Sequence, residues 1–111
     1  MAKSITLTQI IVDVIHLADT IDKHDTQSNR SNLEKYLDDL SDDELIKLEA
    51  IMYFGRNPEK DIVGYREFID HNRKDANQQL TDKAFSGVLS GYLNDALTKS
   101  AALDIDIEEQ I

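Results

Sequence analysis

Residues 41–58, Ser-Asp-Asp-Glu-Leu-Ile-Lys-Leu-Glu-Ala-Ile-Met-Tyr-Phe-Gly-Arg-Asn-Pro, spell one helix together with both of its ends. Ser41 and Glu44 stand three apart, the capping-box spacing in which each side chain takes the other residue's backbone N–H. Leu40 and Leu45 flank the box at staple positions, and Gly55 followed by Pro58 reads as the stop. Between them Leu45, Ile46, Leu48, Ala50, Ile51, Met52, Tyr53 and Phe54 leave the second half of the helix without a polar face. A helix apolar all round has to be surrounded by other elements. The chain therefore needs a bundle with this helix, residues 42–55, at its centre.

The rest of the pattern supplies the neighbours. Apolar residues recur at helical spacing almost everywhere, and no strand-like alternation lasts beyond a few residues. A first helix starts at Thr6, with Gln9 completing a box, Ile5 against Ile10 as a staple, and Ile10, Val14, Leu17 and Ile21 on one face. Asp22 to Arg30 is wholly polar and reads as a loop, after which Ser31 with Glu34 opens a short helix carrying Leu33, Tyr36, Leu37 and Leu40. Beyond the central helix, Asn57 and Pro58 suit a fourth start, with Ile62, Tyr65, Phe68 and Ile69 as its stripe. Asp75 to Gln79 reads as a loop. Thr81, with Leu80 and Phe85 as staple, opens a last helix whose apolar face runs from Phe85 to Leu97. Its small residues Ser86, Gly87, Ser90 and Gly91 suit a close approach by a second helix, within the protomer or across a dimer. The reading is an all-α orthogonal bundle of about five helices in one domain, residues 1–100, followed by an acidic tail, residues 101–111. Leu103, Ile105, Ile107 and Ile111 are more apolar groups than a solvated tail requires, and a neighbouring subunit is one way to order them.

Composition narrows function mainly by exclusion. The chain has 111 residues, 22 acidic and 12 basic side chains and a formal net charge of −10. Such a surface repels nucleic-acid phosphates and anionic lipid, so no nucleic acid and no membrane is expected as a partner. With no cysteine there is no disulfide, thiolate metal site or cysteine nucleophile, which suits a cytoplasmic location. The run Ile10-Ile11-Val12 is too short for a secretory core or a membrane span. The acids gather in Asp38 to Glu44 and Asp104 to Glu109. Interspersed lysines oppose a one-faced nucleic-acid mimic, which stays as an alternative that would occupy a basic protein.

Chemistry is sparse. Of the three histidines, His16 has Asp13 three residues before it and Asp19 three after, and an enzyme or metal site built on that group is the other alternative. His24 sits in the polar loop, and His71 falls near a helix end where a cationic ring suits the dipole. No His-Glu-x-x-His pair, EF-hand loop, nucleophile elbow or glycine-rich phosphate turn occurs, so no catalytic residue, metal ligand or cofactor is assigned. Arg56 can bond the last carbonyls of the central helix and pair with Glu59 or Asp61. Together with Tyr53 it is also the candidate partner-binding pair, since arginine and tyrosine dominate interface hot spots.

The stretch Leu48-Glu49-Ala50-Ile51-Met52-Tyr53-Phe54-Gly55-Arg56 resembles the signature of an uncharacterised bacterial family, domain of unknown function 3775. That family's pattern is similar to Leu-x-Ala-Leu-Met-x-x-Gly-Arg-Gly, followed by a later helix with Tyr-Leu and a small-Leu pair. Tyr92-Leu93 and Ala96-Leu97 stand where the second piece belongs, so the likeness spans roughly residues 40–100. The sequence departs from the pattern at Asn57, where the family usually has a second glycine. The resemblance implies a small, helical, cytoplasmic bacterial protein and brings no activity with it. The expectation is a non-enzymatic interaction or adaptor module, acting through a protein partner or as a homodimer.

Overall fold

The capping box of the central helix closes as its spacing requires. Ser41 N–H donates to Glu44 Oε1 at 2.8 Å, and Glu44 N–H donates to Ser41 Oγ at 3.1 Å. The computed structural model describes residues 6–57, 64, 65 and 72–110. Among these are six helices: α1 (Leu7–Lys23), α2 (Gln27–Asp39), α3 (Asp42–Arg56), α4 (Arg73–Phe85), α5 (Leu89–Ala102) and α6 (Ile107–Gln110). Gly64 and Tyr65 are also helical, and the Tyr65 ring meets Phe54 edge-on at 6.5 Å. No strand occurs among the described residues. The protein is an all-α bundle, and α3 is its hub, with Leu45, Leu48, Ala50, Ile51, Met52 and Phe54 wholly buried.

The hub packs against α5 and α4, and α1 packs against α5 and α2. Its closest contact is made by a residue with no side chain. Gly55 lies inside α3, and a Cβ there would fall on the Tyr92 carbonyl oxygen of α5 and lie 2.8 Å from the Ala96 nitrogen. The expected stop signal is thus a packing glycine, and the helix ends one residue later with Asn57 as its C-cap. The expected cap for a fourth helix at Asn57 and Pro58, and the stripe Ile62, Phe68 and Ile69, lie outside the described residues apart from Asn57 itself.

Three boundaries differ from the expected ones, each because another residue caps better in context. The polar stretch before Ser31 is helical: Thr26, not Ser31, is the N-cap and accepts from Asn29 N–H at 3.1 Å. The first turn of α2 carries no apolar residue, yet Arg30 ties it down by a bidentate pair with Asp25 and by lying 4.3 Å over the Phe85 ring. Asp75 to Gln79 is likewise helix and not loop. Asn72 caps α4 by accepting from Lys74 and Asp75 N–H, which places Thr81 mid-helix and buries Ala76, Leu80 and Ala84. The chain then turns at Gly87, φ +80°, where Val88 N–H bonds Lys83 O and Gly87 N–H bonds Ala84 O. That is a Schellman motif with glycine at its left-handed position. Ser86 and Gly87 therefore end one helix and do not form part of the next, and Gly91 faces open space.

A second Schellman motif ends α5, with Ile105 N–H on Ser100 O, Asp104 N–H on Ala101 O, and Asp104 itself at φ 55°. The chain reverses there, and α6 returns against α1. Ile107 is buried, and Leu103 and Ile105 pack on the core.

Candidate interaction surface

Tyr53 and Arg56 are three apart near the end of α3, so they share a face. The structure brings them together: the Arg56 guanidinium lies 5.5 Å over the Tyr53 ring. Arg56 is exposed and Tyr53 half-buried. The Tyr53 hydroxyl donates to Gln79 Oε1 of α4 at 3.3 Å, which fixes the ring beneath the cation. Burial pushes the Tyr53 hydroxyl above its ordinary range, the buried Glu49 carboxylate adds to the shift, and Arg56 opposes it. The phenol thus keeps its proton at neutral pH, as its donation to Gln79 requires.

Arg56 does not do the capping work expected of it. The carbonyls at the end of α3 are taken by Lys99 of α5, whose Nζ donates to Phe54 O at 2.9 Å and Asn57 O at 2.7 Å. The same ammonium sits 4.3 Å from the Phe54 ring centroid. Glu59 and Asp61, its other expected partners, lie outside the described residues. Lys99 and Gln79 were not singled out from the sequence. A lysine in a last helical turn is a visible signal, but which helix it closes depends on how α3 and α5 cross.

The His16 group does not assemble. The ring is exposed, while Asp13 accepts from Gln9 Nε2 at 2.8 Å and from the Tyr36 hydroxyl at 2.7 Å. Gln9 consequently does not complete a capping box with Thr6. Asp19 accepts from Ser90 Oγ at 2.5 Å. Both carboxylates therefore anchor α1 to neighbours. Burial first, then the Asp13 bond and the charges of Asp13 and Glu44, raise the Tyr36 hydroxyl pKa. His24 is the exposed C-cap of α1, and His71 lies outside the described residues. No group of three or more histidine or carboxylate side chains converges as a metal site among the described residues.

A shallow groove of about 670 Å³ runs between α2 and α4, lined by Glu34, Asp38, Arg73, Asn77, Thr81 and Asp82 among others. Its polar groups are mostly engaged with each other. Asn77 Nδ2 donates to Asp38, Thr81 Oγ1 donates to Asn77, and Arg73 donates to Leu40 O and Asp38 O at 2.6 Å each. Val12, 47% exposed, is the large hydrophobic side chain left in solvent among the described residues, so they offer no broad apolar face. No described helix is long and apolar enough to cross a membrane. No family model matches the chain, and neither a curated protein nor a solved structure gives a significant match.

Proposed function

We propose that the protein is a non-enzymatic interaction module that recognises a protein partner through Arg56 and Tyr53. The observation that carries this reading is the exposed guanidinium held over an aromatic ring that is itself tied to Gln79. Positioning before contact lowers the ordering cost of binding, and an arginine fork above a tyrosine suits a carboxylate on the partner. The scarcity of exposed apolar side chains among the described residues favours a polar contact of this kind over an apolar docking face. The likeness to domain of unknown function 3775, with its cytoplasmic bacterial setting, belongs to the same proposal, as does self-association.

The test is affinity capture from native lysate with the wild-type chain and with Arg56→Ala. Arg56 has no ion pair or hydrogen bond among the described residues, so the substitution is expected to leave stability within about 0.5 kcal/mol. A partner retained by the wild type and lost by Arg56→Ala supports the assignment. Identical captured proteins for both chains end it. Light scattering across a dilution series reports whether the partner is a second copy.

A further inference from the structure

We draw no further inference here: the strongest candidate, the shallow groove between α2 and α4, carries nothing, because Asp38, Arg73, Asn77 and Thr81 are bonded within the protein, and Glu34 and Asp82 are exposed carboxylates with no buried, unpartnered side chain beside them to point to a ligand.

Discussion

Replacing Gly55 with alanine sets two physical effects against each other with opposite signs. Helix propensity alone favours alanine by about 1 kcal/mol at an interior position. Packing opposes it. The added Cβ would collide with the Tyr92 carbonyl oxygen, lie 2.8 Å from Ala96 N and lie 3.0 Å from Ala96 Cβ. Two of these three atoms are α5 backbone, so no rotamer change relieves the clash, and α5 has to move off α3 as a body. A gap of roughly 0.5–1 Å forfeits a quarter to a half of each dispersion contact it opens. The affected surface includes Ile51, Phe54, Leu89, Leu93 and Ala96, all fully buried. Overpacking costs about 1–3 kcal/mol, and a backbone clash belongs at the upper end. After the propensity gain is subtracted, Gly55→Ala should lose about 2 kcal/mol. For a chain of this length that lowers Tm by about 8 °C. Urea and thermal unfolding followed by circular dichroism measure both. Adding Ala96→Gly should recover little, since it leaves Tyr92 O and the Ala96 nitrogen where they are. An alanine variant as stable as the wild type, or more stable, refutes the close crossing of α3 and α5 on which the fold description rests.

Arg73→Ala should destabilise by about 1–2 kcal/mol in urea unfolding, since the guanidinium satisfies Leu40 and Asp38 carbonyls and pairs with a well-exposed Asp42. Arg73→Lys should restore only part of it, because one ammonium does not reproduce the fork. Gly87→Ala should cost about 1 kcal/mol by the same assay; the neighbouring Asp22 oxygen is at an ordinary 3.5 Å, so the penalty comes from φ +80° alone. Asp104→Gly should raise stability by up to about 1 kcal/mol, because it removes a side chain from the left-handed position at φ 55°. For Glu108, burial alone would raise the pKa, but the Thr8 hydroxyl, the Thr8 and Leu7 amides and the Lys47 charge outweigh it and hold the carboxyl below 4.5. Its contribution to stability is therefore present above that ordinary value and lost as pH falls through the lower folded one, and Glu108→Gln should remove that part of the acid limb of a stability–pH curve.

How much of this was legible in the sequence depends on the kind of residue that decides. The buried face of α3 and its capping box were readable because both are local: apolar spacing and a three-residue offset carry all the information. The starts of α2 and α4 were not. Thr26 and Ser31, or Asn72 and Thr81, are comparable caps by type. Which member of each pair works depends on the face the helix must bury once packed, and Ala76, buried in α4, gives only a faint apolar signal. Glycine is ambiguous in the same way. Gly55 and Gly87 are the same residue, yet one is required by what lies across from it and the other by its own φ. Tyr53 and Arg56 could be named as a pair from their spacing, but Gln79 and Lys99, 26 and 42 positions from the atoms they touch, could not.

Three of the long-range bonds made by charged side chains follow one electrostatic rule. A helix N-terminus attracts negative charge and its C-terminus positive charge. Glu108 sits on the N-terminus of α1, while Arg73 reaches the carbonyls ending α2 and Lys99 those ending α3. Each comes from another helix, so each ties two elements together where a local cap would serve only one. Charged side chains that read in the sequence as solvated surface are therefore fasteners, and removing one releases two elements at once. Arg56 breaks this pattern. It stands at a C-terminus whose carbonyls Lys99 already holds, and among the described residues it is engaged with the Tyr53 ring alone. A guanidinium kept in place by aromatic stacking and not needed for capping retains its full donor fork toward solvent, which is why the search for a partner begins with that residue.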